Sequence, residues 1–232
     1  MENLNKYDRA FVIGDHHGDW LGLYRKLDYY GIENCYLFHV GDGGEGWVDR
    51  EKQIRQFEHC NNWFKSRNIY YMSIRGNHSD PAYFLGQHKY SNYELLPDYS
   101  YRIFRDKKIL FVGGAVSIDR RIRTVNKNYW LGEKFILKPE EVEKCDILIT
   151  HSAPSWVGKS DKDGIQSWCD KDETLWDECV KERLLHNELI ELCSPEKHFA
   201  GHFHEHAVSC MNGCDSRILD IMEPYELYLD KH

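Results

Sequence analysis

The sequence predicts an α/β fold whose strands deliver polar loops to a common edge, on three observations. Short apolar runs alternate with segments of helical spacing. Three of those runs in succession end in a glycine-bounded polar group. A more hairpin-rich second half then supplies two further apolar runs that end in histidines.

Taken in order, Ala10–Ile13 reads as a buried strand that opens into "GDHHGDW". Trp20, Leu23, Tyr24, Leu27 and Tyr30 recur at helical spacing, and Gly31 stops that helix. Cys35–Val40 is the next strand and ends in "GDGGEG". A second helix spans Asp49–Arg67 with Ile54, Phe57 and Phe64 on one face, and Ile69–Ile74 is a strand ending in "RGNHSD". Ligands of an open α/β sheet gather at the carboxyl ends of its strands, so these three loops are expected to converge.

In the second half, Tyr101–Arg105 and Lys108–Gly113 form a hairpin through Asp106-Lys107, followed by the charged "SIDRRIR". Asp146–Thr150 is a strand that ends in "THSAP". Asp172–Cys193 reads as a packed helix on Trp176, Val180, Leu184, Leu185, Leu189 and Leu192. Lys197–Ala200 leads into "GHFHEH", and Asn212-Gly213 turns a hairpin between Ala207–Met211 and Arg217–Ile221. With no repeat, low-complexity stretch or Gly/Ser linker, residues 1–232 read as one domain.

The bulk numbers set the class. At 232 residues the chain buries a real core, and its formal charge of −8 argues against a dedicated nucleic-acid binder. A small anionic substrate stays compatible with that charge, because a bound metal supplies positive charge locally. The N-terminus lacks the apolar core of a signal peptide, and its apolar run is too short to span a bilayer. The eight cysteines show no zinc-site spacing and read as reduced thiols, so a cytoplasmic protein without membrane contact is expected.

Five strand ends carry Asp15-x-His17, Asp42, Asn77-His78, His151 and His202-x-His204. Singly, each has a plain explanation as a polar turn or a satisfied strand-end histidine. Together, each directly after an apolar strand, they form a metal-ligand pattern. The chain resembles the calcineurin-like metallophosphoesterases, whose pattern is GDxHG, GDxxD, GNH, a strand-end His and GHxH. Here it stands as "GDHHG", "GDGGE", "GNHSD", "ITHSAP" and "GHFH" over about residues 10 to 205. The resemblance implies a four-layer α-β-β-α sandwich of two mixed β-sheets flanked by helices, with a two-metal site at one edge.

Carried over residue by residue, the resemblance gives Asp15, His17, Asp42 and His204 to one metal. It gives Asp42, Asn77, His151 and His202 to the other, with Asp42 bridging. Such a pair, about 3.5–4 Å apart, clamps phosphate oxygens and acidifies a bridging water. The mixed N/O donor set suits two divalent transition metals, manganese foremost, with iron and zinc as alternatives. His78 falls outside the ligand set and is the candidate general acid for the leaving group. His16 matches the variable position of GDxHG and is expected to point away from the metals.

Departures from the protein-phosphatase branch matter. Glu45 stands where that branch has the aspartate that orients the catalytic histidine, and Gly46 stands where it has a phosphate-gripping arginine. Glu45 is a candidate to orient His78 through its longer side chain. Arg75, just before "GNH", and Arg120, within the Arg120, Arg121 and Arg123 cluster, are candidate phosphate binders; a solvated helix face is the plain reading of the cluster. The tryptophan-rich stretch 155–176 reads either as a substrate lid or as a surface excursion. The expected function is dinuclear hydrolysis of a phosphate mono- or diester of a small molecule or nucleotide. The alternatives are a Ser/Thr protein phosphatase, a nuclease, or a non-catalytic metal-bound scaffold.

Overall fold

The alternating runs become two β-sheets in the computed structural model, which describes residues 1–159 and 161–229. Ser160, inside the 155–176 stretch, and residues 230–232 lie outside the described residues.

In chain order the elements are β1 (Glu2–Leu4), β2 (Arg9–Ile13), α1 (Trp20–Tyr29), β3 (Cys35–His39), α2 (Arg50–Ser66), β4 (Ile69–Ser73), β5 (Tyr93–Leu95), β6 (Ser100–Phe104) and β7 (Lys107–Val112). They continue with β8 (Ile147–Thr150), α3 (Gln166–Cys169), α4 (Leu175–Cys193), β9 (Lys197–Ala200), β10 (Ala207–Met211), β11 (Cys214–Ile218) and β12 (Pro224–Glu226). One sheet runs β12-β2-β3-β4-β5, parallel except for β12. The other runs β1-β6-β7-β8-β9-β11-β10 and is mixed.

Alternation along the strands sorts the apolar side chains into layers. Ala10, Val12, Tyr36, Phe38 and Met72 of the first sheet meet Ile109, Phe111, Ile147, Ile149 and Phe199 of the second in a core between the sheets. The intervening residues Phe11, Ile13, Leu37 and Tyr71 face α1 and α2, packing on Leu23, Leu27, Phe57 and Phe64. On the far side, Leu110, Val112 and Leu148 pack against Leu189, Ile190 and Cys193 of α4. The order is helices, sheet, sheet, helix: the four-layer sandwich. No helix among the described residues is long and apolar enough to cross a membrane.

Register brings the polar loops together. Ile13 pairs with His39 and His39 with Ser73, so β2, β3 and β4 end level and deliver Asp15, Asp42 and Asn77 to one edge. In the second sheet Val112 pairs with Thr150 and Ile149 with Phe199, which brings His151 and the 201–204 loop to the matching edge.

Three predicted elements differ from expectation. The strand after Asn212-Gly213 is Cys214–Ile218 and not Arg217–Ile221, because the two-residue turn sets Cys214 directly opposite Met211. The first hairpin turns at Arg105-Asp106, one residue earlier than predicted, with both residues left-handed (φ 48° and 60°) and Phe104 opposite Lys107. A two-residue hairpin turn that matches strand twist needs that conformation at both central positions, and Asp106 adopts it readily at the second. The long helix starts at Leu175 and buries Glu182, Arg183 and His186 along with Leu189, Ile190 and Cys193, leaving Val180 and Leu184 exposed. Its inward face is polar where it overlooks the cavity described next, which hides the usual apolar stripe.

Candidate metal centre

Asp15, His17, Asp42, Asn77, His151, His202 and His204 meet at the level edge of the two sheets. The ligand-type atoms of Asp15, His17 and His204 lie within 4.8 Å of one another, as do those of Asp15, Asp42 and His151. The Nε2 atoms of His17 and His204 are 2.7 Å apart. Asn77 Oδ1 sits 2.9 Å from His151 Nε2 and 2.9 Å from His202 Nδ1. Asp42 Oδ2 is 3.4 Å from His151 Nε2 and 3.9 Å from His17 Nδ1, which places Asp42 between the two groups.

The backbone is shaped for this crowding. His17, Asp42, His202 and His204, four of the seven residues, hold left-handed φ of 46°, 61°, 69° and 50°. Non-glycine residues in that region cost energy and collect at functional sites. Two motif glycines are needed for a different reason. A Cβ on Gly76 would lie 1.9 Å from Asp42 Oδ1, and one on Gly201 would lie 1.9 Å from Asp15 Oδ1.

The donor set fits a cation. The Nδ1–H of His151 donates to the Val40 carbonyl at 2.8 Å, turning the Nε2 lone pair toward Asn77 and Asp42. The Asn77 amide donates to Ser117 Oγ at 3.0 Å, fixing its oxygen toward the two histidines. With His151 neutral, its Nε2 lone pair faces the Asn77 oxygen, acceptor against acceptor, an arrangement relieved by a positive charge there, whether a proton on Nε2 or a cation. Asp15 Oδ1 is buried with no hydrogen-bond partner, while Oδ2 takes the His202 N–H at 2.9 Å. Burial works against charge on His151, yet the Asp42 and Asp15 carboxylates raise its pKa to about 9. Burial likewise opposes charge on Asp42, and the imidazoles of His151, His78 and His17 outweigh it, holding the carboxyl well below the usual aspartate range. The pocket is built to hold positive charge.

The sequence model of the calcineurin-like phosphoesterases matches residues 9–206. The chain belongs to the calcineurin-like phosphoesterase family. Among solved structures, a Staphylococcus aureus protein assigned as a 5′-nucleotidase, in complex with α-ketoglutarate, aligns at TM-score 0.51 with 12% identity. The alignment covers 96% of this chain and 51% of that one, so this phosphoesterase spans about half its length. The phosphopantetheinyl hydrolase PptH of Mycobacterium tuberculosis aligns at TM-score 0.49 with 14% identity, covering 98% of each chain. No curated protein gives a significant sequence match. At 12% identity the first of these structures speaks to the fold alone.

The remaining predicted residues of this phosphoesterase divide. His78 lies beside the ligands, its ring 5.4 Å from that of His17. Its backbone is clamped on both sides: its N–H donates to Asp42 Oδ1 at 2.7 Å, and its carbonyl accepts from Trp47 Nε1 at 2.7 Å. Burial lowers the His78 pKa below the ordinary imidazole value; Asp42 opposes the shift and Arg123 adds to it. Glu45 is fully buried, accepts from Ser79 Oγ at 2.7 Å and accepts the Asp80 N–H on its own carbonyl. No hydrogen bond joins its carboxyl to the His78 ring among the described residues, so it braces the 78–80 loop instead of orienting that ring. Burial pushes its pKa up to about 7.

The two arginine assignments are corrected. The guanidinium of Arg75 is occupied by Asp98, at 2.8 Å and 3.0 Å, and by the carbonyls of Gly132, Glu133 and Lys134. Arg120 is likewise occupied by Asp172 at 2.7 Å, Glu178 at 2.6 Å and Thr174 at 2.9 Å. Neither lines the cavity beside the ligands. Both arginines hold loops together. Nor could an arginine replace Gly46 on this backbone, because a Cβ there would lie 2.6 Å from Asp80 Cβ and 2.9 Å from the Trp130 ring.

His16 points into the core, packed with tilted rings against Trp20 and His39 at ring distances of 4.2 Å and 4.6 Å. Arg123, read only as part of a charged cluster, reaches the site: it donates to the Asn77 carbonyl at 2.9 Å and to Ser117 Oγ at 2.8 Å. Ser117 and Trp47 were not foreseen. Their partners lie 40 and 31 residues away, beyond the reach of any local pattern.

Proposed function

We propose that the protein is a dinuclear metal-dependent phosphoesterase acting on a small phosphorylated molecule. The observation that carries this reading is the convergence of seven ligand-type side chains in two groups that share acidic residues. Asp15, His17, Asp42 and His204 would hold one divalent ion and Asp42, Asn77, His151 and His202 the other, with manganese the first choice. When bound, the ions supply charge neutralisation for the phosphate and a nucleophile at neutral pH.

The chain's own residues do the rest. Ser117 and Arg123 keep Asn77 oriented, and Val40 keeps His151 in the tautomer that presents Nε2. His78, its backbone pinned and its ring free of hydrogen bonds among the described residues, stands at the cavity wall, where it protonates the departing oxygen. The segment 155–176 contributes Ile165 and Trp176 to that wall, whereas Trp156 packs into the body. We read 1–232 as one such domain with this segment as a partial cover. The covered cavity favours small esters over phosphoproteins.

The test loads the protein with manganese, measures metal per chain, and assays p-nitrophenyl phosphate and its bis ester. Two ions per chain with turnover of either ester is expected. Full activity with one ion or none would overturn the reading. His78→Ala should lower kcat by about 10²–10⁴-fold with metal content unchanged, and by less for the p-nitrophenolate leaving group than for an alkyl alcohol.

A further inference from the structure

The cavity beside the ligands has a volume of about 620 Å³ and a lining of two chemistries. Part of the lining is His17, Asp42, Asn77, His202 and His204 with His78. Part is an apolar wall of Ile118, Ile165, Trp176, Val180 and Phe203. Val180 is 38% exposed, an apolar side chain left uncovered on a helix that buries Glu182, Arg183 and His186.

The other charged groups of the lining are acidic on balance. Its carboxyls are Asp161, Glu205 and Glu182, the last pushed up to about 7 by burial, and its cations are Lys159 and Arg183. Arg183 is already committed: its terminal nitrogens donate to the carbonyls of Pro154, Val157 and Lys159, and its guanidinium lies 4.9 Å over the Phe203 ring. One carboxyl oxygen of Glu182 is buried without a partner. A second phosphate on the substrate would therefore meet three carboxyls with the Lys159 ammonium alone to offset them.

Resting on the phosphoesterase reading, we infer that the substrate carries a single phosphate on an apolar, uncharged or cationic leaving group, which packs on this apolar wall, and that Trp176 is a specificity-determining residue for it. The phosphate faces the metal ligands and His78. The leaving group lies along Ile118, Trp176 and Phe203, where each added methylene leaves water for an apolar wall.

The experiment uses the manganese-loaded full chain and reads kcat/KM for n-alkyl phosphates from methyl to hexyl, for 6-aminohexyl phosphate, and for adenosine triphosphate. Specificity should rise about two- to fourfold per methylene. Trp176→Ala should cost about tenfold on hexyl phosphate and leave methyl phosphate unchanged. Val180→Glu, which removes no buried packing, should lower hexyl phosphate about fivefold and spare the aminohexyl ester. Metal content equal to that of the unchanged protein shows that both variants are folded. A flat response to chain length, or triphosphate turnover faster than that of every monoester, overturns the inference. Calorimetric binding of n-alkyl phosphonates reads the same preference without catalysis. A protein inert toward every ester thus refutes the phosphoesterase reading, while the phosphonate series still decides this one.

Discussion

Around Arg120 each strong donor meets an acceptor: Asp172, Glu178 and Thr174 take its guanidinium, Arg121 adds a second bond to Asp172, and Lys134 adds one to Glu178. Around Asp42 the reverse holds. Two carboxylates, an amide oxygen and four imidazoles press together, and Asp15 Oδ1 is left with no partner. Both clusters are rich in charge and partly buried. The first is complete in itself and joins the 119–123 segment to the start of α4. The second is incomplete, and what it lacks is positive charge. Completeness of pairing, more than charge or burial, separates a cluster that holds a fold from one that holds a ligand.

The sharpest way to break this comparison is Asp42→Asn, which removes charge from the point where the two groups of donors meet. Activity should fall by about 10³-fold, on the scale of several kcal/mol of transition-state stabilisation. Bound metal should drop at both positions together. Retention of one fully occupied ion would show that Asp42 does not bridge.

Metal loading comes next in size. If the centre is held apart by its own unpaired acceptors, manganese at a hundred times its dissociation constant should stabilise the fold by about 2.7 kcal/mol per site. In a chain of this length that corresponds to a melting-point rise of about 5–10 °C per site. A melting curve indifferent to manganese would contradict the idea that the centre is short of positive charge.

Arg120→Met probes the opposite cluster. It should cost about 2 kcal/mol, less than a fully buried pair because Arg121 still reaches Asp172 and Glu178 is partly exposed. Metal content and KM should not move. A raised KM with unchanged stability would return Arg120 to the substrate.

The smallest effect is in pH. Hydrogen bonding to Arg120 lowers the Glu178 pKa to about 2 from an ordinary value of 4.5, and the same arginine depresses Asp172. Folded values below unfolded ones mean that the stabilisation is present above about pH 4.5 and is lost as pH falls through about 2. Acid melts of the metal-free protein should show that loss, and Arg120→Met should flatten it.

The difference between the clusters also explains what could be read from the sequence. All seven candidate ligand positions lie in loops that follow short apolar runs, so local pattern places them, and the level register of β2, β3 and β4 completes the convergence. Whether an arginine is free is another matter. Arg75 looks available beside "GNH", but its acceptors come from Asp98 and from 132–134, more than twenty residues away. The same distance limit hid β1, β5 and β12, each three residues long and too short for any periodicity. It also misplaced the packed face of α4, which the spacing puts on Val180 and Leu184 but which is polar at Glu182, Arg183 and His186 before it turns apolar at Leu189, Ile190 and Cys193.

The strand β12 and the turn before it lie beyond the part of the chain that the family match covers. The family match closes at residue 206, after the last ligand. Yet Met222 donates to the Asp15 carbonyl at 2.9 Å, Gly14 donates to the Glu223 carbonyl at 3.1 Å, and Leu227 donates to the Ala10 carbonyl at 2.8 Å. A Cβ on Gly14 would lie 2.0 Å from the Asp220 carbonyl oxygen, so the fit is close as well as bonded. A chain cut at the family boundary would keep every candidate metal ligand and lose β10, β11 and the splint along the strand that presents Asp15. Proteolytic trimming there should therefore abolish phosphoesterase turnover while leaving the motif intact.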